Sequence, residues 1–288
     1  MKRIPNIGKW TRIVSVLLLL AISVPGSPVL ARQGQVLQTG DGYVFDTNYI
    51  ELADLGVNGL TGLAYSPRAD KLLALHKQNG KSRQSVAVVD REATLVGDTS
   101  LSTQPVDALN IAFNEKANSL FSFDSARQEL SSTPADGNGA IQANAAATAR
   151  YNIRGAGIQQ AQGMAFDQAT GRLFLLDPAG KRLVTIDPDA AGSYDGDKAV
   201  QEKRLSRVDL KSIGAKHLRG LAFNPSTGNL FTIDPDTKTL YEITQQGDLV
   251  STRDDAGRKA ATMSASRAAL HSVVFGCFVV MEIGRAHV

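Results

Sequence analysis

The 288-residue sequence predicts an all-β fold built from repeated four-stranded antiparallel sheets, and three observations lead to this prediction. Four segments share one pattern of small, aromatic, apolar and acidic residues. Each segment contains short apolar runs separated by turns rich in Gly, Pro, Asn and Asp, which is typical of β-strands joined by tight turns. Between residues 43 and 252 the sequence shows no sustained helical period that would indicate an α/β fold.

The first element along the chain is an N-terminal leader, residues 1–31. Four basic residues precede an uncharged apolar run at 13–24, and Val29, Leu30 and Ala31 form a cleavage site before Arg32. Because a membrane-spanning helix needs roughly 20 apolar residues, we expect a secretory signal peptide and no stable membrane span after its cleavage. An uncleaved anchor is the alternative. The sequence therefore predicts a bacterial protein exported to the periplasm or the outside of the cell.

The net charge of the mature chain differs from that of the full chain. The full chain carries a formal charge of +3, and the leader contains four basic residues and no acidic ones, which leaves +3 − 4 = −1 after cleavage. A nucleic-acid partner would require a basic stripe on the mature domain, and none is visible. We expect residues 32–42 to form a flexible segment and no nucleic acid to bind.

The repeats themselves occupy residues 62–76, 110–124, 163–177 and 220–234. Their shared pattern is Gly, aliphatic, Ala, aromatic, a polar turn, Leu, further apolar residues and a final Asp; the second repeat begins with Asn110 instead of Gly, and the first ends with His76. The starts are 48, 53 and 57 residues apart, which matches or slightly exceeds the length of a β-propeller blade. Residues 43–252 are therefore predicted to form propeller blades.

The fourth repeat predicts the strands of a blade in detail. Short strands are expected at 221–223 and 230–233, separated by a turn with Pro and Gly at favourable positions. A third strand is expected at 239–243 and a fourth at 248–252. In the second repeat, the Ala-rich stretch 140–149 is expected to be a loose outer strand or a loop.

The stretch 220–234 resembles blades of NHL and SdiA-regulated-like propellers, in the six-bladed TolB-like group. The resemblance covers about residues 44–252. It implies six blades in a complete protein and does not specify an activity, because such blades occur in binding modules, scaffolds, lactonases and esterase-like proteins.

Both ends of the repeat array predict an incomplete copy. The segment from Tyr49 to Leu52 resembles the strand that precedes the fourth repeat, so we expect it to be an outer strand donated to a closing blade. The repeat pattern stops after Arg253, and residues 282–288 resemble a translated sequencing adapter. We expect residues 253–288 to be an artefactual tail of a C-terminally truncated fragment; a genuine divergent tail is the alternative.

Candidate ligand-binding residues lie near the ends of strands. An acidic residue or His follows the second predicted strand of each blade, where it could contribute to a polar ring, or could accept hydrogen bonds from turn amides. Two further residues lie just before the fourth repeat, where the loops would face the mouth of the channel; the basic one could contact an anionic ligand or pair with a neighbouring acid. The six candidates are His76, Asp124, Asp177, Asp234, His217 and Arg219.

An acidic loop at residues 187–197 is the candidate metal site. Asp187, Asp189, Asp195 and Asp197 offer the oxygen ligands that Ca²⁺ prefers. The loop lacks the spacing and the closing Glu of a helix-loop-helix calcium site, so a solvated insertion between the third and fourth strands is the favoured interpretation.

Two functions remain open at this point. Neither a Gly-x-Ser-x-Gly nucleophile motif nor a His-Glu-x-x-His zinc motif occurs in the sequence. The first function is therefore a binding or scaffold propeller for a protein, peptide, glycan or small molecule. The second is a Ca²⁺-dependent esterase, lactonase or phosphoesterase whose axial site would be completed by the missing blades.

Overall fold

The computed structural model describes residues 37–38, 44–45, 52–77, 84–101, 110–142 and 148–254. Sixteen of the strands in these residues form four sheets of four antiparallel strands each. Two short strands upstream, β1 (Leu37–Gln38) and β2 (Val44–Phe45), pair only with each other among the described residues.

The four sheets are consecutive along the chain and are termed blades 1 to 4. Blade 1 contains β3 (Leu60–Ser66), β4 (Lys71–Lys77), β5 (Gln84–Val89) and β6 (Leu95–Ser100). Blade 2 contains β7 (Ile111–Asn114), β8 (Ser119–Asp124), β9 (Glu129–Pro134) and β10 (Ala149–Asn152). Blade 3 contains β11 (Met164–Phe166), β12 (Leu173–Asp177), β13 (Arg182–Ile186) and β14 (Leu205–Asp209). Blade 4 contains β15 (Arg219–Phe223), β16 (Leu230–Asp234), β17 (Thr239–Ile243) and β18 (Leu249–Asp254).

Each blade is a simple meander in which every strand pairs with the next one in sequence. The first strands of the blades are neighbours: β3 contacts β7, β7 contacts β11, and β11 contacts β15. Successive blades therefore follow one another around an axis, with the first strand of each blade innermost. The prediction of an all-β propeller with four-stranded antiparallel blades is confirmed.

Helical structure is sparse in the described ranges. It consists of the 3-10 helices Leu52–Leu55, Arg154–Ala156 and Lys211–Ile213, and of one short α-helix, α1 (Gly196–Gln201). In the part of the chain that the structure covers, no helix combines the length and the apolar character needed to cross a bilayer.

The hydrophobic cores lie between successive blades. Along β12, Leu173 and Leu175 face the core shared with blade 2, whereas Phe174 and Leu176 face the core shared with blade 4. All four side chains are completely buried, because neighbouring blades cover both faces of the strand. Burial of such a side chain contributes about 1.5–3 kcal/mol, so each blade is held by its neighbours.

The turn between the first two strands has the same local chemistry in blades 3 and 4. In blade 4, the Asn224 side chain accepts the N–H of Ser226 at 3.0 Å, and the N–H of Gly228 donates to the Asn224 carbonyl at 2.8 Å. Gly228 adopts a φ of +73°, which a residue with a Cβ rarely takes. Asp167 and Gly171 form the equivalent turn in blade 3.

Gly163, which opens the third repeat, lies where two innermost strands converge. A Cβ on Gly163 would lie 2.8 Å from the backbone of Gly220, and the N–H of Gly220 donates to the carbonyl of Gln162 at 2.7 Å. In blade 2, Asn110 occupies the opening position, and its side-chain Nδ2 donates to the Ala161 carbonyl of blade 3 at 3.0 Å. The opening residues therefore bond one blade to the next.

Some of the sequence predictions fall outside the described residues. They are the signal peptide at 1–31, residues 255–288 of the predicted tail, and the part of the donated strand from Tyr49 to Glu51. The first two residues of the predicted tail, Arg253 and Asp254, belong to β18. The prediction was wrong for Leu52, which begins a 3-10 helix. In the stretch 140–149, only Ala149 belongs to the outer strand β10, and residues 143–147 are not described.

Candidate functional site

One end of the blades carries all six of the predicted ligand-binding residues. In each blade, the start of the first strand, the finish of the second strand and the start of the third strand lie at this end. The chain also enters blades 2, 3 and 4 here from the preceding blade. This end is termed the connection face. The residues on it are His76, Asp124, Asp177, Asp234, His217 and Arg219.

Asp177 is the last residue of β12 and joins two loops of the connection face. Its carboxylate accepts the N–H groups of Gln159 and Gln160 at 3.1 Å each and that of Gly180 at 3.3 Å. The residue is completely buried, and Nε of Arg182 lies 3.1 Å from Oδ2. The carboxylate therefore ties the loop before β11 to the turn after β12, with an Arg as its counter-ion.

Asp234 repeats this arrangement at the end of β16. Its Oδ2 accepts the N–H groups of Lys216 at 3.1 Å and His217 at 3.2 Å, and its Oδ1 accepts that of Asp236 at 3.1 Å. Burial alone would raise the pKa of Asp234, but hydrogen bonds from the amides of His217, Lys216, Asp236 and Thr237 hold the pKa below its usual value. The ionised carboxylate thus fixes the backbone around it.

Blades 1 and 2 use the equivalent position differently. Asp124 accepts the N–H of Arg127 at 3.0 Å and its Nη1 at 2.9 Å. His76 is buried, and its Nε2 lies 3.1 Å from Oδ1 of Asp98 on β6. In the contacts described, each of the four strand-end side chains is bonded within its own blade. The structure therefore does not join them into one polar ring.

The outer layer of the connection face in blade 4 is a His–Asp pair. His217 Nδ1 lies 2.5 Å from Oδ2 of Asp236, and the two side chains are 59% and 65% exposed. Together with the buried Asp234, they are the one group of three metal-ligating side chains found among the described residues, with ligand atoms within 4.8 Å of one another. His217 and Asp234 were predicted from the sequence, whereas Asp236 was missed. The signal for Asp236 was the Asp-Pro-Asp run that begins at Asp234.

Arg219 is the first residue of β15, the innermost strand of blade 4, and it is exposed. Its carbonyl accepts the Thr232 hydroxyl at 3.2 Å. Its guanidinium forms no ion pair with any residue that the structure describes. A free guanidinium presents a planar set of donors that matches a carboxylate or a phosphate.

The predicted calcium loop lies between β13 and β14, at the end of the blades opposite the connection face. Asp187 is paired with Arg172, whose Nε lies 2.6 Å from Oδ1. Asp189 accepts the N–H groups of Ala191 at 2.9 Å and Ser193 at 2.8 Å. Asp187 thus ties the loop to the residue before β12, and Asp189 stabilises the loop itself.

The other two carboxylates of this loop belong to the start of α1. Asp195 accepts the N–H of Lys198 at 2.9 Å and caps the helix, and Asp197 lies in its first turn. Within the described residues, the four carboxylates are not gathered into a group with metal-ligand spacing. Calcium binding by this loop stays a prediction.

The expectation of a solvated insertion was wrong for the centre of this loop. Tyr194 is buried against Phe121 and Phe166, at centroid distances of 5.3 and 5.8 Å. Its hydroxyl donates to the Gly171 carbonyl at 2.6 Å and accepts from Nδ2 of Asn114 at 2.9 Å. Burial raises the pKa of Tyr194. The loop therefore anchors blade 3 to blade 2.

Comparisons with known proteins point to one family. The profile of the family described as SdiA-regulated matches residues 35–258. No curated protein sequence matches the chain significantly.

Solved structures with a similar arrangement include proteins of diverse kinds. The crystal structure of a nidogen/laminin complex aligns with a TM-score of 0.47 and 13% identity, over 75% of this chain and 69% of that chain. A streptogramin B lyase aligns with a TM-score of 0.41 and 12% identity, over 69% of this chain and 56% of that chain. A protein from Lactobacillus plantarum aligns with a TM-score of 0.40 and 14% identity, over 79% of this chain and 64% of that chain.

Proposed function

This chain belongs to the SdiA-regulated family, and from that premise we propose that it is an exported binding propeller that holds an anionic ligand at the connection face of blade 4. The single observation that carries the proposal is the exposed Arg219 guanidinium, which has no ion-pair partner among the described residues and lies two residues from the exposed His217. Arg219 begins the innermost strand of blade 4, and His217 lies in the loop that leads into this strand.

The burial of the strand-end acids supports this choice of surface. Asp177 and Asp234 are at most 1% exposed, and their oxygens are occupied by backbone amides. As buried anions, these two carboxylates would repel an anionic ligand. The groups of blade 4 that such a ligand can reach from solution are therefore the cation of Arg219 and the imidazole of His217, beside the carboxylate of Asp236.

Binding can be tested with the mature chain immobilised on a sensor and probed with a tetraglutamate peptide, inorganic phosphate and a sulfated disaccharide. We expect at least one anionic probe to bind and a tetralysine peptide not to bind. Arg219→Ala should abolish binding and Arg219→Lys should weaken it, because Lys lacks the planar donor pair.

The matched control is Arg68→Ala, which removes an exposed Arg from the turn between β3 and β4, at the opposite end of blade 1. This variant should bind like the wild type. Equal binding by the wild type and Arg219→Ala, or equal losses in Arg68→Ala and Arg219→Ala, would overturn the proposed site.

Export can be tested separately by expressing the full chain in a bacterial host and determining the N-terminus of the periplasmic product. Cleavage of the leader predicts a product that begins at Arg32. Recovery of the uncleaved chain from the cytoplasm would contradict export and leave the binding test unaffected.

The second candidate function, a metal-dependent hydrolase, is favoured by the three-ligand group of His217, Asp234 and Asp236. It predicts turnover of simple esters or lactones that disappears with a chelator and returns with added metal. Such turnover would replace the proposal of a binding module without catalysis.

A further inference from the structure

Blade 4 differs from blades 2 and 3 in the charges around its strand-end Asp. Asp124 forms an ion pair with Arg127, and Asp177 forms one with Arg182. Among the described residues, no Lys or Arg forms an ion pair with Asp234. The carboxylate of Asp234 is therefore satisfied by hydrogen bonds but not by a counter-ion.

The strand register shows where the counter-ion is missing. In blade 3, Asp177 lies opposite Arg182 in the pairing of the second and third strands, whereas in blade 4 Asp234 lies opposite Thr239. Thr239 thus stands where the neighbouring blade has its Arg. A buried charge is stable when it is paired or coordinates a metal, so the environment of Asp234 favours a cation from solution.

The side chains around this carboxylate are suited to a transition metal. His217 supplies an imidazole nitrogen and Asp236 a second carboxylate, both within 4.8 Å of Asp234. Gln160 and Ala179 occupy the corresponding places in blade 3, counted from the strand-end Asp, and neither is a metal ligand. Of the three strand-end Asp residues, only Asp234 has no Arg as an ion-pair partner among the described residues. It is also the one that has two further metal-ligating side chains beside it.

We propose that His217, Asp234 and Asp236 bind one divalent transition cation of the zinc class at the connection face. This inference deepens the proposed function, on which it rests, by naming a cofactor for the same surface. Zinc accepts His nitrogen and carboxylate oxygen ligands, and sites with three protein ligands leave a fourth position for an external ligand. An anionic group bound there would also lie on the face that carries Arg219.

The His217–Asp236 pair has to open to admit the ion. Tetrahedral ligand atoms at about 2.0–2.1 Å from zinc are roughly 3.3 Å apart, whereas His217 Nδ1 and Asp236 Oδ2 are separated by 2.5 Å. Because both side chains are more than half exposed, they can separate by this distance through rotation. Asp234 is held in place by the backbone amides that it accepts, in the way that outer hydrogen bonds orient a metal ligand.

The test is titration of the mature chain with zinc chloride by isothermal calorimetry at pH 7.5, followed by thermal melts with and without zinc. We expect the wild type to have a site that His217→Ala and Asp236→Asn each weaken at least about tenfold, since each removes one of three ligands. The rise in Tm with zinc should shrink in the same two variants. Melts without zinc establish that both variants are folded.

Asp248→Asn is the matched control, because Asp248 is an exposed acid in another turn of blade 4. It should bind zinc like the wild type. The metal site would be overturned if His217→Ala and Asp236→Asn both bind zinc with the affinity of the wild type. It would also be overturned if the wild type does not bind zinc. If Arg219→Ala still abolishes binding of an anionic probe in that case, the metal inference fails and the proposed binding function stands.

Discussion

Blades 3 and 4 place an Asp at the same point of the same strand but surround it with different charges. Asp177 has the guanidinium of Arg182 within 3.1 Å, whereas Asp234 lies opposite the neutral Thr239. Each carboxylate accepts backbone N–H groups from the loop that enters its own blade. The comparison teaches that the loop clamp and the counter-ion are separate features of a blade.

A consequence of this separation is that a blade can keep its structure while its surface changes. The amide acceptors hold the connection loops in both blades, so the fold does not depend on the Arg alone. In blade 4, where Thr239 takes the place of the Arg, the buried carboxylate of Asp234 lies beneath the exposed His217–Asp236 pair. Four predictions test how far the two roles can be separated.

The largest effect is expected for Asp177→Ala in blade 3. The change leaves three backbone N–H groups without an acceptor and Arg182 without its carboxylate. We expect the free energy of unfolding to fall by about 3–5 kcal/mol, measured by urea denaturation. Asp248→Ala, at an exposed turn, should cost under about 0.5 kcal/mol. A loss of less than 1 kcal/mol for Asp177→Ala would refute the clamp.

A smaller, pH-dependent effect is expected for Asp234→Asn in blade 4. The carboxylate hydrogen bonds contribute about 1–3 kcal/mol. Because the pKa of Asp234 is lower in the folded state than its usual value of 3.8, this stabilisation is present above that value and is lost as pH falls through the folded pKa. The difference in unfolding free energy between wild type and variant should be full at pH 6 and shrink below pH 4. A difference that stays constant from pH 2.5 to 7 would contradict this assignment.

Thr239→Arg should convert blade 4 toward the charge pattern of blade 3. An Arg at this register position can pair with Asp234 as Arg182 pairs with Asp177, and should stabilise the chain by about 0.5–1 kcal/mol. It should also weaken zinc binding at least tenfold, because the guanidinium would neutralise the Asp234 carboxylate in place of the metal cation. Zinc affinity equal to that of the wild type would show that the missing Arg does not matter for the cation. Lys238→Arg, one residue earlier, is the control.

The smallest effect on stability is expected for Arg219→Ala. Its side chain is exposed and has no ion-pair partner among the described residues, so the free energy of unfolding should change by less than about 0.5 kcal/mol. Urea denaturation of the same preparation used for ligand binding gives the measurement. A large loss of stability would indicate that Arg219 supports the fold instead of a ligand.

The fold could be predicted from the sequence because blade structure is local. The strand at 239–243 was predicted with the bounds that the structure has, and the turn at 224–228 contains the Asn and Gly that its geometry requires. The prediction of an outer strand through Leu52 relied on a similarity between two segments. It was wrong at that residue because a 3-10 turn forms there.

The candidate site was predicted only in part because its contacts join distant segments. His217 and Asp236 are 19 residues apart and meet through the clamp around Asp234. The acidic loop was misread for a similar reason: Tyr194 reaches Asn114, 80 residues away, so composition alone suggested a solvated loop. The lack of a counter-ion at Asp234 became visible only when the strand register aligned Thr239 with Arg182.

The close approach of Gly163 and Gly220 suggests how such a protein can be re-engineered. At the hub a Cβ on Gly163 would meet the backbone of Gly220, and Gly220 itself adopts a φ of +65°, so neither position tolerates a side chain. The residue just before each glycine is Gln162 in one blade and Arg219 in the other, and both are accessible. A library that varies only these two positions would change the side chains presented around the axis while leaving the assembly of the blades intact.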